Sequence, residues 1–244
     1  MNLANNTVLI TGGGSGIGLA LATRFSKAGS KVIICGRRRE QLEAAKRECP
    51  ELILIPCDLS SESERHTLFS RVSRDFPELN ILINNAGIQN RPPALTEAQD
   101  WEKHQQEIAT NLEAPMHLSM LFIPHLLKQQ TSAIINVSSG LAFLPLSFMA
   151  TYCATKAALH SFTMSLRHQL SKTPIKVIEV IPPMVNTDLG GKGLHNEGTS
   201  LDVFADHTVK HLEAGDLEFG FGFSEKGRLA SREQLNEMFL GMNK

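Results

Sequence analysis

Thr7-Val-Leu-Ile-Thr-Gly-Gly-Gly-Ser-Gly-Ile-Gly18 passes from a β-branched, apolar run into a segment made mostly of glycine. The run Thr7 to Thr11 reads as a short buried strand. The glycines remove Cβ atoms where a chain must turn tightly and let a ligand approach its backbone. A helical pattern follows from about Ile17 to Ala28, with Leu19, Ala22 and Phe25 on one side and Gly29 as its stop. A strand, a glycine turn and a helix in succession aim free N–H groups and a positive dipole end at an anion such as a phosphate. The spacing is Gly12-x-x-x-Gly16-x-Gly18 rather than Gly-x-Gly-x-x-Gly. A turn without a ligand is the structural alternative.

The rhythm set by this unit continues along the chain. Further strands are expected at Lys31 to Cys35, Leu52 to Ile55, Asn80 to Ile83, Ala133 to Val137 and Lys176 to Ile181. Helical patterns lie between them: Glu40 to Cys49, a segment capped by Ser60 or Ser61 and ending near Asp75, Glu97 to Thr110, Leu112 to Gln129, and Thr151 to Ser171. Continuous apolar strands alternating with helices predict a mostly parallel sheet covered on both faces. After about residue 188 the rhythm breaks. Asp188 to Ser200 is rich in glycine and reads as a loop, and Leu201 to Ala214 reads as a helix. Leu217-Glu-Phe-Gly-Phe-Gly-Phe223 alternates like a last strand. Ser231 to Met242 reads as a terminal helix, with Ser231 as cap and Gln234 three positions on.

Length and composition fit a single α/β domain over residues 1–244. Residues 1–130 would be its nucleotide-binding half and residues 131–244 its catalytic and substrate-binding half. With 24 Lys and Arg against 25 Asp and Glu, no broad attraction to nucleic acid or to an anionic membrane is expected. No apolar run reaches the roughly twenty residues that span a bilayer, and the N-terminus is polar, so a cytoplasmic protein without membrane insertion is expected. Cys35, Cys49, Cys57 and Cys153 show no metal-type spacing. They read as free thiols in a reducing compartment, and no metal is expected.

The expected chemistry centres on Ser138 to Lys156. Tyr152 and Lys156 stand one helical turn apart and share a face. Ser139 follows a strand end, where open α/β sheets present ligand-binding groups. A phenol, an ammonium and a hydroxyl there could move a proton. At the end of the second strand, Arg37 and Arg38 offer fork-shaped donors where a ribose 2′-phosphate would lie, and no carboxylate is present to hold a free 2′-hydroxyl. NADP(H) is therefore favoured and NAD(H) remains possible; a solvated basic face is the structural alternative. Asp58, ending the third strand, could hold an adenine amino group or cap the next helix.

With these residues in place, the sequence resembles the short-chain dehydrogenases/reductases as far as about Thr187. The resemblance rests on Thr11-Gly12-x-x-x-Gly16-x-Gly18, Asp58-Leu59, Asn84-Asn85-Ala86-Gly87, Asn111, Ser139 and Tyr152-x-x-x-Lys156, in that order. Ile135 to Phe143 and Val180 to Leu189 are similar to a bacterial branch, the DltE-like oxidoreductases. The resemblance implies a doubly wound Rossmann-type fold with seven strands and a catalytic set of Asn111, Ser139, Tyr152 and Lys156. Tyr152 would exchange a proton with the substrate oxygen, and Ser139 would orient that oxygen. Asn111 would hold a relay water, and Lys156 would favour the phenolate and bind the nicotinamide ribose. It implies cofactor contacts at Gly12, Ser15, Gly16, Ile17, Gly18, Arg37, Arg38, Asp58, Leu59, Asn85, Ala86, Gly87, Tyr152, Lys156, Pro182 and Thr187. Pro182-Pro183 departs from the family's usual Pro-Gly, and the C-terminal residues depart from its usual ending. A homodimer through the long helices is implied, while that ending leaves a tetramer open.

Candidate substrate walls are Leu141, Phe143, Leu144, Met149, Met184, Leu189 and Leu194, with Gln89 and His195 as polar groups. They suggest an apolar carbonyl compound or secondary alcohol. Gly190 to Gly193 could form a lid. The competing reading is a nucleotide-binding regulatory or scaffold protein built on the same fold.

Overall fold

The computed structural model describes residues 1–244. Its seven strands are β1 (Thr7–Thr11), β2 (Lys31–Gly36), β3 (Ile53–Pro56), β4 (Ile81–Asn84), β5 (Ser132–Val137), β6 (Ile175–Ile181) and β7 (Glu218–Gly220). They form one sheet in the order β3-β2-β1-β4-β5-β6-β7, and every neighbouring pair is parallel. The chain therefore winds outward from β1 in one direction and from β4 in the other. The helices are α1 (Gly16–Lys27), α2 (Arg39–Glu48), α3 (Glu62–Asp75), α4 (Trp101–Ile108), α5 (Ala114–Leu126), α6 (Ala150–Gln169), α7 (Leu201–Ala214), α8 (Phe223–Leu229) and α9 (Arg232–Met242).

The period of two along each strand divides the apolar residues between two cores. Val8, Ile10, Ile81, Ile83, Ile135 and Val180 point to one face, where Leu21 and Phe25 of α1 and Phe204 and Leu212 of α7 cover them. Leu9, Leu82, Ile134 and Val177 point to the other face, under Leu68 and Val72 of α3, Phe122 of α5 and Leu166 of α6. Both faces being dry explains why the strands read as unbroken apolar runs. Asn84 and Asn136 are buried within the sheet and bond each other at 2.9 Å, with Ser119 and Thr163 completing the chain.

Two expectations are corrected. The helical stretches expected at 97–110 and 112–129 are one continuous path. α4 passes into α5 through a wide π turn, Ala109–Glu113, which contains Asn111. The alternating run to Phe223 is a strand only as far as Gly220. Gly222 adopts φ 56° and ψ −117°, and Phe223 already begins α8, a helix the alternation hid. Other boundaries agree within a few residues. Ser61 is the cap of α3, and Ser231 and Gln234 form the reciprocal capping box of α9. All four cysteines are buried and free. No helix is long and apolar enough to cross a membrane.

Candidate active site

The segments that follow β1, β2, β3, β4, β5 and β6 line one cavity of about 960 Å³. At one end lie Gly12, Ser15, Gly16, Ile17, Arg37, Arg38, Asp58, Leu59, Asn85, Ala86 and Gly87. Gly18 is the exception among the expected contacts. It stands behind the wall, where a Cβ would come 2.4 Å from the Gly12 carbonyl oxygen and 2.5 Å from Asn85 Nδ2. Its role is to let α1 close onto the turn. Asn85 pins the same turn, donating from Nδ2 to the Thr11 carbonyl at 2.9 Å, and Thr11 Oγ1 accepts from the backbone N–H of Asn85 and Ala86.

This end fits a dinucleotide's phosphates on its own chemistry. The first turn of α1 holds no acidic residue, and the Ser15 side chain does not cap it, so its N–H groups are left to an anion. Arg37 and Arg38 are exposed on the wall without a carboxylate partner, whereas Arg39 pairs with Glu43. Asp58 is not the cap of α3. Its carboxylate accepts from Ser60 N at 3.0 Å and Ser60 Oγ at 2.7 Å, which sets the turn ahead of the helix. Leu59 packs into the core and its carbonyl takes the buried Arg65 guanidinium.

At the other end, β5 and α6 bring Ser139, Tyr152 and Lys156 onto the cavity wall. Tyr152 is 5 % exposed and Lys156 4 %. The Lys156 Nζ lies 5.8 Å from the phenol ring centre and donates to the Val137 carbonyl at 3.0 Å. Burial pushes the phenol above its usual range, while a hydrogen bond with Ser139 opposes that rise. Burial pushes the Lys156 ammonium down to about 8, and the carboxylates of Glu179 and Glu107 oppose that fall. The two adjacent serines diverge. Ser139 Oγ accepts from Leu141 N at 3.1 Å beside the phenol, whereas Ser138 Oγ donates to the buried Glu179 at 2.6 Å.

Asn111 does not touch Lys156. Its side chain closes a reciprocal pair with the Ile88 backbone, both bonds at 2.8 Å, which fixes the segment after Gly87. A Cβ at Gly87 would lie 3.4 Å from Asn111 Oδ1 and 3.7 Å from Lys156 Nζ, so the three groups share one corner. Pro182 and Thr187 also line the cavity, Thr187 packing beside Gly16.

Of the expected substrate walls, Leu141, Met149, Met184, Leu189, Gln89 and His195 line the cavity. Phe143, Leu144 and Leu194 do not. Phe143 packs edge-on against His160 at 4.6 Å, Leu144 is buried against Gly227, and Leu194 turns to solvent beside Gly191. Their places are taken by Leu146, Phe148, Phe221, Phe223 and Met242. The last residues reach the cavity because Asn243 is stapled to the segment before α6. Its Oδ1 accepts from Ser147 N at 2.6 Å and its Nδ2 donates to the Pro145 carbonyl at 3.1 Å. No local sequence signal foretells that return. Gln89 Oε1 and Ser224 Oγ are buried behind this wall, packed beside Gly190 and Gly140, without a hydrogen-bond partner. His195 is held towards the neutral form by burial and by Arg91.

Comparison with known proteins agrees with this geometry. The profile of the family described as short chain dehydrogenase matches residues 6–198. The uncharacterized oxidoreductase DltE of Bacillus subtilis is 44% identical over 248 aligned positions, covering 100% of this chain and 98% of that protein. A short chain dehydrogenase from Burkholderia cenocepacia, solved in complex with NADP, superposes with a TM-score of 0.85 at 27% identity, covering 98% of this chain and 99% of that one. The 3-ketoacyl-(acyl-carrier-protein) reductase of Brucella melitensis, complexed with NADH, gives a TM-score of 0.82 at 27% identity, covering 91% and 99%.

Proposed function

This chain belongs to the short-chain dehydrogenase family of oxidoreductases, and we propose that it uses NADP(H) to interconvert a carbonyl compound and a secondary alcohol, with Tyr152 as the acid–base group. The observation that carries this reading is the meeting of Ser139, Tyr152 and Lys156 on one cavity wall, at the far end from a phosphate-receptive helix terminus. The nicotinamide, when bound, supplies or accepts the hydride. The chain's own residues handle the proton and the orientation.

In reduction, Tyr152 gives its phenolic proton to the substrate oxygen, and Ser139 holds that oxygen by a second hydrogen bond. Lys156 stabilises the phenolate left behind. Bringing even a free phenol from ~10 to near neutrality takes about 4 kcal/mol of differential stabilisation of its anion, and the burial of Tyr152 adds to that. An ammonium in a dry site is a strong source of it, assisted by the positive charge of the oxidised nicotinamide. In this reading Asn111 orders the segment beside Lys156 through its side-chain bonds to Ile88 and leaves the relay-water role to its main chain.

Arg37 and Arg38 support NADP(H) over NAD(H), since both guanidinium groups stand free where a 2′-phosphate would sit. The apolar wall favours a bulky, largely hydrophobic substrate. We read residues 1–244 as one catalytic domain. A homodimer through α5 and α6 accords with Met120 and Met164, exposed on those helices.

Tyr152→Phe tests the chemistry. It should lower turnover of a carbonyl panel by roughly 100- to 10,000-fold while NADPH affinity, read by fluorescence, changes little. Wild-type activity in the variant would overturn the assignment. Tight NADPH binding by a wild-type protein inert to the whole panel would favour a nucleotide-sensing role instead. Arg37→Ala tests the cofactor. It should weaken NADPH binding about 10- to 100-fold, the equivalent of one charge-assisted hydrogen bond, and leave NADH binding unchanged. Equal losses for both would remove Arg37 from the argument.

A further inference from the structure

Lys156 is a cation in an almost dry site, and no carboxylate touches it. Its Nζ is held by a backbone carbonyl, and Tyr152 on the same helix is neutral in its resting form. The charges that keep the ammonium from losing its proton therefore act through space. Two carboxylates do so: Glu179 of β6 most strongly, then Glu107 of α4. Glu107 is the weaker resource in a second respect. It accepts a hydrogen bond from Asn90 N at 2.7 Å, but burial raises its own pKa and so favours its neutral form.

Glu179 is built differently. It lies within β6, in register with Asn136 of β5, and is 0 % exposed. An isolated carboxylate there would neutralise itself. Two donors occupy both of its oxygens: Ser138 Oγ at 2.6 Å on one and His160 Nδ1 at 2.9 Å on the other. The bond to Glu179 in turn raises the pKa of His160, so the imidazole favours its charged form. Behind His160 stands Glu218 of β7. Its carboxylate is taken by Arg167 of α6 at 2.9 Å and Arg228 of α8 at 3.3 Å, so this pocket already holds its cations as guanidinium groups. The clamp also meets the lysine: Ser138 follows the Val137 carbonyl that holds Lys156 Nζ, and His160 stands one turn along α6 from Lys156, so a carboxylate held from both sides on a buried strand there is an expensive arrangement for packing alone.

We propose that Glu179, clamped by Ser138 and His160, is the buried counter-charge of Lys156 and hence a positioning residue for the Tyr152–Lys156 pair. The inference rests on that pair being the acid–base unit. It also gives the two neighbouring serines separate tasks: Ser139 faces the substrate, and Ser138 anchors the counter-charge. His160, half-buried, sets the strength of the arrangement, because in its protonated form it offsets part of the field of Glu179.

Glu179→Gln keeps the shape and removes the charge. The direct readout is the titration of Lys156, followed by NMR at the Cε of isotope-labelled lysine and assigned by its loss in Lys156→Met. Because Glu179 holds the ammonium pKa up, its removal should lower the midpoint by roughly one unit. The alkaline limb of kcat/KM should move to lower pH by the same amount. An unchanged midpoint overturns the proposal, even where the variant melts earlier, because a purely structural pin would lower Tm without moving the titration. His160→Gln retains an N–H donor to Glu179 and removes the cation. Its Lys156 midpoint should stay or rise, and a fall of roughly one unit there overturns the proposal. This second variant carries the test if Glu179→Gln does not fold. The NMR titration needs no turnover. A shifted midpoint in a protein without dehydrogenase activity would therefore sink the proposed function and leave the counter-charge standing.

Discussion

Two glycine-bearing turns reach the same cavity, one from the middle of the sheet and one from its edge. The first joins β1 to α1 through Gly12 to Gly18; the second joins β7 to α8 through Phe221 and Gly222. Gly18 and Gly222 are glycine for opposite reasons. Gly18 lies where a Cβ would collide with the Gly12 carbonyl and with Asn85, so what it provides is space. Gly222 has no atom within 4 Å of where a Cβ would be, yet its φ is 56° and its ψ −117°. What it provides is a backbone conformation that side chains of L-residues rarely accept. Gly18 is tied to Asn85 and Gly12, and hence to the nucleotide end. Gly222, uncrowded, answers only to the path of its own chain.

The first way to break that comparison is Gly18→Ala, with the largest expected effect. Neither neighbour of the added methyl is the far end of a flexible side chain free to leave, because Gly12 contributes backbone and Asn85 is bonded to Thr11 and Gly12. Overpacking at a fixed contact costs up to about 3 kcal/mol, so NADPH affinity should fall on the order of 100-fold, together with Tm. Gly241→Ala is the control. It lies in α9 with nothing within 4 Å, and alanine there should hold or raise stability by up to about 1 kcal/mol. If Gly18→Ala bound NADPH like wild type, α1 could close on the turn without the space that Gly18 leaves.

The same contrast explains what the sequence made legible. The β1–α1 turn was legible because everything it needs is local: an apolar strand, clustered glycines and a periodic helix within about twenty residues of chain. The Tyr152–Lys156 pair was legible for the same reason, one helical turn being a local distance, and so was the Ser231–Gln234 capping box. Gly18 is expected among the cofactor contacts because a motif records which residues recur together and not which of them line the cavity. The strand expected to run to Phe223 failed because Phe-Gly-Phe-Gly-Phe satisfies the period of two while the conformation at Gly222 ends the strand. Glu179 looked like one more strand residue. Its partners Ser138 and His160 stand 41 and 19 positions away, and neither separation has a pattern. Met242 joined the wall only through Asn243, whose partner Pro145 is 98 positions distant. Residues whose task depends on such closures carry no mark in the one-dimensional record.

Gly222→Ala is the smaller and more selective perturbation, and it sharpens the comparison. With no contact to break, its effect is the backbone penalty of the conformation alone, about 1–3 kcal/mol. For a chain of this size, 2 kcal/mol corresponds to a fall in Tm of roughly 4–8 °C. Because Phe221, Phe223 and Ser224 line the substrate end and none of the phosphate-facing residues is disturbed, NADPH affinity should hold. KM for a bulky apolar carbonyl should rise instead, as the wall formed by the start of α8 shifts. A variant as stable as wild type would mean that the turn at 222 does not require its positive φ, and the strand could then continue to Phe223. A loss of NADPH affinity equal to that of Gly18→Ala would mean that the two turns are coupled across the cavity. The separate tasks given to Gly18 and Gly222 would then be wrong.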